Sequence, residues 1–437
     1  MYSVSNDTQA LTPLPPLPHG EGEITPSSDR SIAVGTPYKL SAIDNNNLNI
    51  HVGINPDSAE INTPLDEGEG QGVRDNPAIE LLTALVSTPS PSHQEAAAVR
   101  VLVDWMSAHG LDSHIDAAGN AVGIAGTGEK TLVMLGHIDT FGGMLPVRRE
   151  GDILHGRGTV DAKGPLCAFA AATSQAHIPD GWRVVVVGAV EEECPTSSGA
   201  HYAVTQYAPE LCIIGEPSRW DRLTLGYKGR LICDWEIRTG LAHSANPTAS
   251  PAELAFAAWA KVQAYAAHLN EGRTKTFEQV LVTLHAVNTG DDGVHGWARM
   301  TVGFRLPPDV TPEGLEAEIV GILGSGTVRT AHEASTSADE NHTSLSFYSH
   351  TPTYAAPRDT TLSRLFRAAI RSESGTPAFV YKTGTSDMNI AGPTWNCPIL
   401  AYGAGDSSLD HTPHEHIDLT EYLRSIRVLR QVIESLE

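Results

Sequence analysis

The feature that most constrains this chain is a rhythm in its first half. Short apolar runs, "TLVMLGHIDT", "WRVVVVGAV" and "ELCIIGEPS", alternate with helix-like runs, "KGPLCAFAAATSQA" and "SSGAHYAVTQYA". Strand and helix alternating at this spacing indicate an α/β fold: a mostly parallel sheet flanked by helices. Ligands of such sheets collect at the carboxyl ends of the strands. His137, Asp139, Glu191 to Glu193 and Glu216 stand at or just past those ends.

The rhythm has limits. Residues 1–75 are rich in Pro, Gly, Asn and acid, without sustained periodicity, and read as a disordered or low-complexity extension. From Asn76 the pattern is globular. "NPAIELLTALVS" reads as a helix, and Ser92 with Glu95 reads as a capping box before a second, "EAAAVRVLVDWMSAHG", stopped by Gly110. Residues 221–352 change rhythm to strand, helix, strand, strand, helix, the order of an inserted α+β (split βαβ) domain. After residue 353 the α/β pattern returns, so 76–220 and 353–437 form the main domain. A length of 437 residues suits such a two-domain body plus an extension.

A formal net charge of −23 argues against nucleic-acid binding. No run approaches the roughly 18 apolar residues of a membrane span. The N-terminus lacks a basic start followed by an apolar stretch, so no secretory signal is expected. The five cysteines are scattered and form no CxxC pair, which suits a reducing, cytoplasmic setting.

Five islands carry metal-ligand chemistry: His137 and Asp139 in "GHIDT", Asp161 in "GRGTVDAKG", Glu192 and Glu193 in "EEECPTSSG", Glu216 in "IIGEPS" and His411 in "LDHTPHEH". Imidazoles and carboxylates without thiolate suit zinc in a hydrolytic site. Two zincs about 3.5 Å apart need one shared carboxylate and two further ligands each, a count these residues meet. Of the paired glutamates, one is placed to bind metal and its neighbour to take a proton from activated water. Asp139, two residues past His137, is placed to hold the second ring N–H of that histidine.

In this order the islands resemble the zinc metallopeptidase family that includes acetylornithine deacetylase, succinyl-diaminopimelate desuccinylase and glutamate carboxypeptidase. The resemblance covers residues 76–437. It implies that His137, Asp161 and Glu216 hold one zinc, that Asp161, Glu193 and His411 hold the other, and that cobalt is an alternative metal. It makes Asp139 the orienting acid and Glu192 the general base. A register shift making Glu191 the base and Glu192 the ligand stays open. His411, followed four residues later by Glu415, fits the family's histidine; His414 does not. The inserted segment resembles the family's dimerisation domain, so a homodimer is expected. "GLAHSANP" would place His243 in the partner subunit's site, stabilising an oxyanion.

Finer motifs, "GRGTVDAKGPLCAF", "YKTGTSDMN" and "SLDHTPHEH", look most like the branch that releases lysine or ornithine from the C-terminal glutamate of a small acidic amino-group carrier protein. Deacetylase, desuccinylase and dipeptidase activities are sister readings. The "KTGTSD" loop, with Lys382, Gly384 and Thr385, suits a substrate carboxylate. So does Arg305 at a strand end. Lys228 and Arg230 in "GYKGR" are placed to meet the carrier. An acidic carrier approaching an acidic protein needs a local basic patch, for which Arg219, Arg222, Lys228 and Arg230 are the candidates.

Overall fold

The structure is a computed structural model that describes residues 76–324, 327–329 and 342–437. The expectation for residues 1–75 lies outside them.

A nine-stranded sheet organises the body. Its centre is parallel: Trp182–Ala189, Lys130–His137, Leu211–Gly215 and Ile399–Ala401 run side by side. The flanks turn antiparallel. Ala121–Gly126 and Asp112–Ile115 extend one edge, and Arg222–Tyr227 with Tyr354–Ala355 the other. Side chains alternate across the sheet with the strand period of two. Leu132 and Met134 therefore enter one apolar layer, beneath the helices Pro77–Val86, Ala96–Ala108, Lys163–Gln175, Thr361–Ser372 and Leu419–Glu434. Val133 and Leu135 enter the opposite layer, beneath Ser198–Gln206 and Met388–Trp395. All four are fully buried, each contributing about 1.5–3 kcal/mol by leaving water.

Small residues let the helix Lys163–Gln175 lie close on the sheet; its stretch Lys163–Thr173 is buried throughout. The expected capping box at Ser92 does not form. Glu95 takes the N-cap position and Oε1 accepts the His93 N–H, while the Ser92 hydroxyl donates to the Asp139 carboxylate at 2.8 Å. The ionised carboxylate of a neighbouring loop gives the hydroxyl a strong, charge-assisted acceptor.

The smaller five-stranded sheet has the order Leu281–Asp291, His295–Leu306, Gly229–Gly240, His342–Thr351, Thr327–Arg329. Helices Pro251–Leu269 and Pro312–Leu323 pack on it, closing a separate apolar core around Trp235, Val262, Phe304 and Leu315. The strand Arg222–Tyr227 pairs in the large sheet, so the chain crosses into the small one at Lys228–Gly229 and returns at Pro352. The two crossings touch. A Cβ on Gly229 would lie 2.5 Å from the Thr351 carbonyl oxygen, which restricts that position to glycine.

Candidate active site

Strand ends deliver the polar residues. His137 closes Lys130–His137, Glu191 to Glu193 follow Trp182–Ala189 by one residue, and Glu216 follows Leu211–Gly215 directly. These strands are neighbours in the sheet, so three distant islands open on one rim. Asp161 comes from the loop before helix Lys163–Gln175, and His411 from the loop after the short helix Ser407–Leu409.

Asp161 is the meeting point. Its Oδ1 lies 3.2 Å from His137 Nε2, and its Oδ2 lies 3.1 Å from His411 Nε2. Glu216 Oε1 is 4.0 Å from His137 Nε2, and Glu193 Oε1 is 3.0 Å from His411 Nε2. Two donor triads result, His137–Asp161–Glu216 and Asp161–Glu193–His411, sharing one carboxylate. His137 donates Nδ1–H to the Asp139 carbonyl at 3.0 Å, which leaves Nε2 as the atom turned to the centre. The His411 ring stacks on Phe141, centroids 4.4 Å apart.

A surrounding scaffold fixes these groups. The Asp139 carboxylate accepts the backbone N–H groups of Glu192 and Glu193, both at 3.0 Å, besides the Ser92 hydroxyl. Glu415 Oε1 accepts the N–H groups of Gly158, Val160 and Asp161, and Oε2 pairs with Arg157 at 2.8 Å.

The electrostatics suit cations. Burial would raise the Asp161 carboxyl, but hydrogen bonds from His137 and His411 outweigh it and hold it below the usual range. Burial would likewise lower His137, but hydrogen bonds to Asp139 and Asp161 raise it. Hydrogen bonds to Asp161 and Glu193 push His411 up to about 10. Burial pushes the Glu192 and Glu216 carboxyls well up, and neighbouring acids push Glu216 further. Buried acids crowded in this way, with imidazoles among them and no sulfur, are the donor set that hard to borderline divalent cations satisfy.

The centre opens into a cavity of about 340 Å³ whose lining includes Glu192, Arg230, Arg305, Lys382, Gly384 and Thr385. Arg305 reaches across from the small sheet and donates to the Thr385 hydroxyl at 3.1 Å. The lining thus combines acids with the cations Arg230, Arg305 and Lys382. His243 lies elsewhere, in the exposed segment 241–250, outside this lining.

Two expectations are corrected. Lys228 does not face the cleft: it is fully buried, and its amine donates to the carbonyls of Phe277 and Gln279. It is the pin of the crossing, because the chain turns there from one sheet to the other. The basic patch also dissolves. Arg219 pairs with Asp406 and Arg222 with Asp221, leaving Arg230 as the patch member that lines the cavity. Sequence reasoning passed over Phe141, Tyr227 and Asp410, which also line it. For Asp410 the signal was present, directly before His411.

Comparison with known proteins gives the family. A [LysW]-lysine hydrolase of Deinococcus radiodurans is 43% identical over 370 residues, 82% of this chain and 97% of the relative. A putative [LysW]-lysine/[LysW]-ornithine hydrolase of Thermococcus kodakarensis is 34% identical over 360 residues, covering 82% of this chain and 92% of the relative. Among solved structures, an aminopeptidase PepT from Bacillus cereus superposes with a TM-score of 0.64 at 17% identity, covering 82% of this chain and 97% of that one. The model of peptidase family M20/M25/M40 matches residues 133–435, and the chain belongs to that family.

Proposed function

We propose that this chain hydrolyses the amide joining lysine to the C-terminal glutamate side chain of a small acidic carrier protein, the last release step of lysine biosynthesis in the cytoplasm. The observation that carries the reading is the shared Asp161 carboxylate, each oxygen turned to a different imidazole, set in a relative of a [LysW]-lysine hydrolase. The Thermococcus relative's name adds ornithine as a second substrate, which would join the chain to arginine biosynthesis.

Two divalent cations, zinc in this reading and cobalt as the alternative, would polarise the scissile carbonyl and make water acidic at neutral pH. His137, Asp161 and Glu216 would hold one, and Asp161, Glu193 and His411 the other. Asp139 keeps His137 in the tautomer that presents Nε2. Glu192 lines the cavity beside these ligands without belonging to either triad, which suits a general base. It takes a proton from the attacking water and returns it to the departing amine, so that water and amide become acid and free amine. Arg305 and the Lys382–Thr385 loop orient the substrate carboxylates, with Arg230 beside them.

The chain would act as a homodimer. Leu241, Phe256 and Val294 of the small-sheet region are exposed apolar side chains, and Leu241 N–H bonds to the Val294 carbonyl, so two of them are neighbours. In this reading a second copy covers them, and the exposed His243 serves as an oxyanion donor in the partner's cleft.

Incubating purified protein with the carrier–lysine conjugate, acetylornithine and succinyl-diaminopimelate tests the reading. Rapid release of lysine from the conjugate alone is expected. Preferential hydrolysis of either small substrate would replace it with a sister activity.

A further inference from the structure

We propose that His93, Glu191 and Cys194 form a further divalent-cation site, separate from the centre at Asp161 and suited to an ion of borderline softness such as zinc. A ring nitrogen, a carboxylate oxygen and the sulfur of these residues all lie within 4.8 Å of one another. The triad shares no residue with the two that meet at Asp161, and none of its members lines the cavity. Two turns build it. His93 comes from the one before helix Ala96–Ala108, and Glu191 and Cys194 from the one after strand Trp182–Ala189. His93 Nδ1 stands 3.2 Å from Glu191 Oε1. Cys194 Sγ stands 2.9 Å from the Thr196 hydroxyl, which itself donates to Glu191 Oε2. Thr196 thus holds the sulfur and the carboxylate of one turn side by side.

The donor types select the ion. Thiolate, imidazole and carboxylate together suit zinc or cobalt, whereas magnesium and calcium take oxygen ligands. The centre at Asp161 contains no sulfur, so the two places differ in chemistry as well as position. The triad is also reachable: the His93 side chain is 63% exposed and that of Glu191 21%, which leaves a fourth coordination position open to water. By contrast Cys167, Cys212 and Cys233 are buried. Glu191 and Cys194 flank Glu192 and Glu193 in sequence, and His93 follows Ser92 directly. A bound ion therefore ties the segment carrying the candidate base to the turn whose serine holds Asp139, and its occupancy couples the level of free metal to that segment. The inference does not use the hydrolase reading.

Cobalt titration of the full-length, metal-stripped protein tests it, read by the thiolate-to-cobalt charge-transfer absorption in the near ultraviolet. Sulfur ligation alone gives that band, so cobalt at Asp161 is silent. One such band per chain is expected. Cys194→Ser should abolish it while the remaining cobalt equivalents still bind. His93→Ala, an exposed change, should shift its midpoint to at least about 10-fold higher cobalt, the loss that even an outer partner of a ligand causes. No band in the native protein, an undiminished band in Cys194→Ser, or an unmoved midpoint in His93→Ala overturns the site. A Cys194-dependent band in a protein that cleaves no carrier conjugate removes the hydrolase reading and supports this one.

Discussion

Glu415 holds Asp161 across 254 residues of sequence: its carboxylate accepts the Asp161 backbone N–H at 3.3 Å, together with those of Gly158 and Val160. The same side chain lies four residues after His411, so one carboxylate ties the loop bearing the shared acid to the loop bearing an imidazole. Arg157 neutralises it inside the protein, where Glu415 is 1% exposed.

Arg157→Ala would strand that charge. Removing one partner of a buried pair costs about 3 kcal/mol or more. Urea denaturation should show a loss of that size, and metal content should fall with it because both loops loosen. An unchanged midpoint would show that backbone donors alone suffice for Glu415.

Ser92→Ala removes one of the donors to Asp139. Hydrogen bonds to a buried charge contribute about 2 kcal/mol, and partners of a ligand-orienting group affect metal affinity by about 10-fold. Competitive chelator titration should show weaker binding at the centre, with helix Ala96–Ala108 intact by circular dichroism. If Ser92 were instead a helix cap, helicity would drop and metal affinity would hold.

Glu192→Gln should leave both metal equivalents bound and reduce kcat by roughly 10²–10⁴-fold. Near-normal turnover would move the base to Glu191 and adopt the other register of the triple glutamate. The structure favours Glu192, since Glu191 lies outside the cavity lining and contacts Thr196 and His93.

Chelator-stripped protein should respond to pH through His411. Hydrogen bonds to Asp161 and Glu193 raise its pKa from 6.5 to about 10. A raised imidazole stabilises the folded chain fully below 6.5, and that contribution is lost as pH climbs to about 10. Metal must displace the same proton, so affinity should rise with pH, about tenfold per unit for each proton released. Calorimetry in buffers of different ionisation enthalpy counts those protons. Metal uptake without proton release would contradict the arrangement.

Much of this site was legible because it sits on strong local patterns. The buried strands ending at His137, Ala189 and Gly215 announce both the sheet and its rim, and the candidate ligands follow at once. Less was legible where a residue's partner is remote. Ser92 satisfies a local capping pattern, and only the fold shows Asp139 competing for its hydroxyl. Lys228 reads as a surface cation, and only the crossing between sheets shows its amine enclosed by the Phe277 and Gln279 carbonyls. The short pairings Arg148–Glu150, Ile153–His155 and His416–Asp418 carry too few residues for periodicity to register, although they hold the Glu415 loop in place.

Anomalous scattering from crystals grown with zinc tests the central claim most directly. We expect two peaks about 3.5–4 Å apart on either side of the Asp161 carboxylate, one beside His137 and Glu216, the other beside Glu193 and His411. A single peak, or metal bound only away from Asp161, would contradict it.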